Sequence, residues 1–181
     1  FDNFSFEISI KRNTTNDYLY PTNGSANKIV LNYSPNEISD DPFYQLLLEN
    51  SIYFQRKHRK SFFFTSNNIG IAESLDGKLK TINAFSLGGL NFKGYDFRGI
   101  GPFDNRIYLG GNKYFTSTIG YGSSFIFDEK DNVNIKLFLT TGSIWDSDYT
   151  ANNNFELRSS CVFSFDILTS GGPLSLSYAL P

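Results

Sequence analysis

The sequence is poor in the residues that most catalytic and metal-binding sites use. It has one histidine, one cysteine and no methionine, and charged residues make up only 19% of its 181 positions. The single cysteine, Cys161, excludes a disulfide within the chain, and His58 has no second histidine or cysteine nearby with which to hold a metal. No basic stripe with interleaved aromatic residues is present, which argues against nucleic-acid binding. The sequence therefore indicates neither an enzyme nor a cofactor.

Long apolar runs are also absent. No run approaches the ~18 residues that a membrane helix needs, but strands that cross a membrane hide their hydrophobicity in alternation. Aromatic residues are abundant at 17%, with 19 Phe and 11 Tyr, a composition that suits strands better than helices. No signal peptide is visible at Phe1 and the chain ends abruptly at Pro181, so we expect a piece of a longer protein.

Alternation of apolar and polar residues with a period of two dominates the chain and predicts strands joined in simple succession. Phe163 and Phe165, for example, alternate with Ser164 and Asp166. The eight predicted strands are residues 4–11, 27–34, 43–55, 61–72, 113–127, 133–145, 155–168 and 174–180. One long irregular stretch, residues 73–107, separates the fourth strand from the fifth.

Two all-β folds fit this pattern. A soluble sandwich would bury the apolar face, whereas a membrane barrel turns it toward lipid and leaves the polar face in a wet lumen. Most of the runs have the ~9–11 residues that a membrane strand needs, which favours an antiparallel up-and-down transmembrane barrel. In that fold the lipid-facing residues include Phe115, Ile119, Tyr121, Phe125, Phe163, Phe165, Leu174 and Leu176. Arginine at Phe163 should then cost about 2–4 kcal/mol, and arginine at Ser160 or Ser164 much less.

Several short motifs occur in a fixed order along the chain. They are Tyr20-Pro21-Thr22-Asn23-Gly24, Gly88-Gly89, Lys93-Gly94-Tyr95, Arg98-Gly99-Ile100-Gly101-Pro102, Gly110-Gly111-Asn112, Gly142-Ser143-Ile144-Trp145-Asp146 and Gly172-Pro173-Leu174-Ser175-Leu176-Ser177-Tyr178-Ala179. Together they resemble the bacterial surface-antigen barrel family of outer-membrane protein assembly factors, to which BamA belongs. The resemblance spans nearly the whole chain.

The resemblance implies a sixteen-stranded barrel of which residues 1–181 supply strands eight to fifteen. The periplasmic domains, the early strands and the closing strand would lie outside this C-terminal part of the barrel. It also implies a location in the bacterial outer membrane, contact with the lipid bilayer, unfolded β-barrel clients and assembly-machinery lipoproteins as partners.

The implied function is to assist the folding and insertion of other β-barrel proteins. Two alternatives remain open at this point: a two-partner-secretion transporter of the same superfamily, and a passive outer-membrane pore. An outer-membrane hydrolase fits least, because no catalytic constellation accompanies the fold.

The long stretch carries the functional motif that the resemblance implies. Its residues are Gly88, Gly89, Phe92, Lys93, Gly94, Tyr95, Arg98, Gly99, Gly101 and Pro102, and the strand positions expected to receive it are Gly120, Phe138, Thr140 and Gly142. In the family the loop tip carries an arginine that pairs with acidic residues on two strands. Here that arginine is replaced by Lys93, and the acidic positions by Gly120 and Thr140, so the ion pair is lost on both sides.

These departures change how we expect the loop to be held. Residues 92–102 should fold back over the concave face and pack against strands 113–127 and 133–145. Aromatic packing, with Phe92, Tyr95 and Phe97 as apolar anchors, and backbone hydrogen bonds should hold them there. Lys93 should reach water, a carbonyl group or Asp96, and Arg98 is the candidate for a replacement anchor. Lys93→Ala should therefore cost little, and Tyr95→Ala a few kcal/mol.

Overall fold

Eight long strands run antiparallel in a single sheet in which each strand pairs with the next long strand along the chain. A computed structural model describes residues 4–56, 60–128, 131–151, 153–169 and 171–181. The strands are β1 (Phe6–Asn13), β2 (Gly24–Ser34), β3 (Phe43–Gln55), β4 (Ser61–Ser74), β5 (Phe103–Asp104), β6 (Ile107–Tyr108), β7 (Lys113–Asp128), β8 (Asp131–Trp145), β9 (Arg158–Thr169) and β10 (Gly172–Leu180). The large sheet has the order β1-β2-β3-β4-β7-β8-β9-β10, and β5 pairs only with β6.

All eight predicted strands are present, and two of them begin later than predicted: β1 begins at Phe6 instead of residue 4, and β9 at Arg158 instead of residue 155. The strand predicted over 155–168 starts at Arg158, because Phe155 turns out of the sheet and packs on the aromatic rings at its edge. The Phe155 ring stacks on Phe115 with centroids 6.0 Å apart and meets Trp145 edge-on at 5.2 Å. Side-chain packing therefore overrides the alternating pattern at this end of β9.

The stretch predicted as irregular contains a small hairpin that the sequence analysis missed. β5 and β6 pair through Phe103 and Tyr108, whose rings lie 4.9 Å apart. The two residues between them, Asn105 and Arg106, both have positive φ, as a two-residue hairpin turn requires. Arginine is an unusual residue for that conformation, so the turn carries no sequence signal.

The large sheet is curved, with a concave and a convex side. Tyr20, in the turn between β1 and β2, donates a hydrogen bond from its hydroxyl to the carbonyl of Ile167 on β9, near the opposite end of the sheet. Its ring also lies over the ammonium group of Lys136 on β8, 5.7 Å from the centroid. A flat sheet could not bring these groups together, so the side that carries Lys136 is concave.

The two sides have opposite chemistry. Large apolar side chains on the convex side are exposed: Ile29, Leu48, Ile69, Ile119, Leu137, Phe163 and Leu176. Polar side chains on the concave side are buried: Thr116, Asn134, Thr140, Ser160, Ser164 and Asp166. This is the reverse of a water-soluble sheet and is the arrangement of a transmembrane β-barrel wall. The predicted fold class is confirmed, and the sheet is open, as expected for part of a barrel.

No helix in the described ranges is long and apolar enough to cross a membrane.

Candidate functional site

Residues 75–112, which connect β4 to β7, form a long loop that returns to the sheet before β7 begins. Its two ends are joined by backbone hydrogen bonds. Phe85 and Gly111 exchange N–H···O bonds of 3.0 and 3.1 Å, and the Ala72 amide donates to the Asn112 carbonyl at 2.7 Å. A further bridge joins Leu87 and Ile100 at 3.3 Å. The loop is therefore a closed, ordered structure rather than a simple connector.

The loop is fixed to the concave side by a buried apolar cluster. Leu87, Phe92 and Ile100 of the loop pack with Ile144 of β8, and the partly buried rings of Phe85, Tyr95 and Tyr114 surround them. Phe92 and Ile144 are each only 1% exposed. Burial of four such side chains supplies the main driving force for docking.

Phe92 lies directly over Gly142 of β8. A Cβ atom at position 142 would lie 3.1 Å from the Phe92 ring and 2.6 Å from the Phe115 carbonyl oxygen. Any larger residue would displace the ring, so glycine at 142 is required for this contact. The structure thus brings Gly142, one of the four predicted docking positions, into contact with the loop.

The tip of the loop, residues 92–95, reaches further across the sheet than predicted. The Lys93 ammonium group donates to the Ser177 hydroxyl of β10 at 2.9 Å, and the Tyr95 hydroxyl donates to the Ser159 carbonyl of β9 at 3.1 Å. Gly94 lies between these contacts with φ +96°, and a Cβ there would lie 2.7 Å from the Ser160 hydroxyl. Packing against β7 and β8 therefore holds for the loop base and Phe92, whereas the tip binds β9 and β10.

The other three predicted docking positions, Gly120, Phe138 and Thr140, make contacts within the sheet. The space above Gly120 is filled by the Phe64 ring of β4, which also packs edge-on against Phe138 with centroids 5.9 Å apart. Thr140 shares a hydrogen bond of 2.9 Å with Thr118. The aromatic ring from β4 occupies the place where a tip contact was expected, and the small side chains of β9 and β10 leave room for the tip instead.

Arg98 does not anchor the loop to the strands. Its guanidinium group donates to the Leu109 carbonyl at 3.1 Å, which joins two parts of the same loop. Its φ is +58°, in the left-handed region, and its buried Nε has no hydrogen-bond partner in the described part of the chain. Leu109 also donates from its amide to the Pro102 carbonyl at 2.9 Å. Arg98 and Pro102 therefore act on the shape of the loop.

The remaining motif glycines lie where the loop turns back on itself. The Gly88 amide donates to the Asn91 side chain at 2.9 Å, the Gly89 amide to the Tyr95 carbonyl at 2.9 Å, and the Gly99 amide to the Asp96 carbonyl at 2.8 Å. Gly101 lies against Ile144. The motif thus encodes the loop's internal turns more than its contacts with the barrel.

Lys93 forms no ion pair with any described carboxylate. Its ammonium group contacts the Ser177 hydroxyl, and among the residues described it contacts neither a carbonyl group nor Asp96, which were two of the partners expected for it. Lys93→Ala removes one solvent-accessible hydrogen bond, and we expect it to weaken docking by about 0.5–1.5 kcal/mol. Urea titration of the complete barrel in lipid measures the change, with Ser177→Ala as the matched variant. A loss of several kcal/mol on Lys93→Ala alone would contradict this account.

The sequence analysis missed the residues that receive the tip: Ser159, Ser160, Ser177 and Ala179. A weak signal was available, because the concave-side positions Ser160, Ser177 and Ala179 all carry small side chains. Small residues allow the backbone of a loop to approach closely. Arginine was expected to cost much less at Ser160 or Ser164 than at Phe163. Both serines are buried, Ser160 below Gly94 and Ser164 donating to Asp166, so an arginine at either position would have to displace these contacts.

A second set of contacts holds the outer part of the loop. The Asp148 carboxylate, in the connection between β8 and β9, accepts hydrogen bonds from the Leu79 amide at 2.8 Å and the Asn112 side chain at 3.1 Å. Lys80 of the loop forms an ion pair with Asp41 at 2.5 Å. In the described ranges no group of three or more His, Cys, Asp or Glu side chains could hold a metal ion.

Comparison with known proteins agrees with this fold. The crystal structure of BamA from Haemophilus ducreyi lacking POTRA domains 1-3 is similar to the chain with a TM-score of 0.83 and 21% sequence identity. The match covers 98% of this chain and 38% of that one, so the chain spans less than half the length of its structural relative. No curated protein sequence matches the chain significantly. The Omp85 superfamily domain matches residues 1–181, and the chain therefore belongs to the Omp85 superfamily.

Proposed function

We propose that this chain is the C-terminal part of a bacterial outer-membrane barrel that assists the folding and insertion of other β-barrel proteins. The observation that carries the proposal is the long loop docked on the concave side, with Phe92 buried against Gly142 and the tip bound to β9 and β10. A passive pore needs an open lumen. A loop bound firmly inside a barrel narrows the cross-section of that lumen. The superfamily match and the likeness to a BamA fold support the same choice.

The proposed activity requires no covalent chemistry. An exposed strand edge can template an incoming strand through backbone hydrogen bonds, so a barrel seam can guide client strands into the membrane. The partners are then the lipid bilayer, unfolded β-barrel clients and accessory lipoproteins. On this proposal the protein is not an enzyme, takes no cofactor and binds no nucleic acid.

In this mechanism the contacts of the loop tip bear on the last strands of the chain. Lys93 and Tyr95 tie the loop to β10 and β9, the last two strands of this chain. If the closing strand follows β10, the loop supports the strands next to the seam from inside the barrel. Loss of the loop contacts should then impair client insertion while leaving the barrel in the membrane.

Depletion of the complete protein in its source organism tests the function. We expect the abundance of outer-membrane β-barrel proteins to fall as a group, measured by quantitative proteomics of outer-membrane fractions. Complementation with Phe97→Ala, an exposed residue of the same loop, should restore them, whereas Phe92→Ala should not. Loss of one secreted polypeptide alone would favour the two-partner-secretion transporter, and slower solute uptake with unchanged protein levels would favour the pore.

A further inference from the structure

The convex side carries a continuous row of polar residues, which lies between rows of mostly apolar residues. Successive register partners on seven strands form it: Arg12, Asn27, Asn50, Asn67, Ser117, Thr141 and Ser159. The adjacent rows are mostly apolar, with Ile29, Leu48, Ile69 and Phe115 on one side and Ile52, Ile119, Leu139 and Cys161 on the other. Polar side chains that face hydrocarbon are costly unless they are paired.

Hydrogen bonds between neighbouring strands pair most of this row. The Asn50 amide donates to the Asn27 side chain at 2.6 Å, the Ser117 hydroxyl to the Asn67 side chain at 2.7 Å, and the Ser159 hydroxyl to that of Thr141 at 3.2 Å. Each bond joins two direct register partners. These three bonds form only when neighbouring strands are in their native register, although the Asn67 amide also donates to the Thr65 hydroxyl of its own strand at 3.4 Å.

The pair β4–β7 is joined by the longest connection in the sheet, although the Phe64 ring over Gly120 and the Phe62 ring over Gly122 also favour its native register. Tight hairpin turns set the register of the strands that they join, but β4 and β7 are connected by residues 75–112. Alternation of apolar and polar residues excludes a slip of one residue, since that would move every side chain to the other face. A slip of two residues keeps every side chain on its face, and alternation does not exclude it.

A two-residue slip would break the Asn67–Ser117 hydrogen bond. Asn67 would then lie opposite Phe115 or Ile119 instead of Ser117, with no water at that depth to replace its partner. On the concave side the equivalent bond, from the Asn68 amide to the Thr116 hydroxyl at 3.1 Å, faces a lumen in which water can substitute. The two bonds join the same kinds of group, but the Asn67–Ser117 bond faces lipid and the Asn68–Thr116 bond faces the lumen.

We infer that Asn67 and Ser117 help to set the register of β4 against β7 from the convex side, and thereby the position of the long loop. β4 carries one end of the loop and β7 the other, and the Ala72–Asn112 hydrogen bond of 2.7 Å joins them beside the apolar cluster. A slip of two residues would move one end by about 7 Å relative to the other, at ~3.4 Å per residue. The Ala72–Asn112 hydrogen bond, which closes the loop on β4, could not then form.

Cysteine pairs in the complete, membrane-inserted barrel test the inference on a Cys161→Ser background. Ile69→Cys with Phe115→Cys reports the native register, and Ile71→Cys with Phe115→Cys reports the two-residue slip that places Asn67 opposite Ile119. We expect Asn67→Leu to raise the yield of the slipped disulfide roughly tenfold. Leucine has no hydrogen bond to lose, so the slipped register no longer leaves a buried polar group at position 67 without its partner. Asn68→Leu, the matched change on the concave side, should leave it at background.

The hydroxyl of Ser117 offers an independent check. Ser117→Thr keeps the hydroxyl and should keep the slipped product at background, whereas Ser117→Val, of nearly the same shape as threonine, should raise it as Asn67→Leu does. Equal slipped product for Asn67→Leu and Asn68→Leu, or none for either, would overturn the inference. So would a variant that keeps its register but loses a co-purifying membrane protein, which would make the row a binding surface.

Discussion

Replacing Phe92 by alanine is expected to release the tip of the long loop from the concave side, at a cost of about 3–5 kcal/mol to the docked state. The ring is almost fully buried between Leu87, Ile100 and Ile144, and it rests on Gly142. The Tyr95 ring packs edge-on against it with centroids 5.5 Å apart, so this contact is lost as well. The two tip hydrogen bonds are too weak to compensate for such a loss.

Protease sensitivity of the folded barrel measures this release, because an undocked loop becomes a substrate while the strands remain protected. Phe97→Ala is the matched control, since Phe97 is in the same loop and is 79% exposed. We expect fast cleavage within the loop for Phe92→Ala and wild-type rates for Phe97→Ala. Equal cleavage rates for the two variants would show that the apolar cluster does not hold the loop.

The strands could be predicted from sequence because alternation is a local property. The residues of β3, for instance, alternate strictly enough that its bounds, 43–55, were predicted as they are found. Where a long-range contact competes, the local signal fails. Phe155 continues the alternating pattern of β9, yet it leaves the strand because Phe115 and Trp145 offer a better packing surface.

The loop contacts were only partly predictable for the same reason. Phe92, Tyr95 and Phe97 were all expected to be apolar anchors from their own chemistry, yet Phe97 is 79% exposed, and Gly142 was expected from the motif around it. The receiving surface for Lys93 and Tyr95 depends on which side chains fill the concave side, and Phe64, distant in sequence, decides that by covering Gly120. The polar row on the convex side is hidden in the sequence altogether, because its members are neighbours only in register.

Arginine in place of Leu48 is expected to destabilise the barrel by about 2–4 kcal/mol if the site lies near the bilayer midplane, since a charged side chain there faces hydrocarbon. Leu48 is close to the middle of β3 on the convex side. Leu47, the same residue type one position earlier, points to the concave side, where the arginine head group can reach a wet lumen, so Leu47→Arg should cost much less.

Folding titrations of the complete barrel into lipid vesicles give both values under one set of conditions. The pair matches residue type, strand and depth, and differs only in the face of the sheet. Equal costs for the two variants would mean that the convex side does not face lipid, and the transmembrane orientation of the sheet would have to be abandoned.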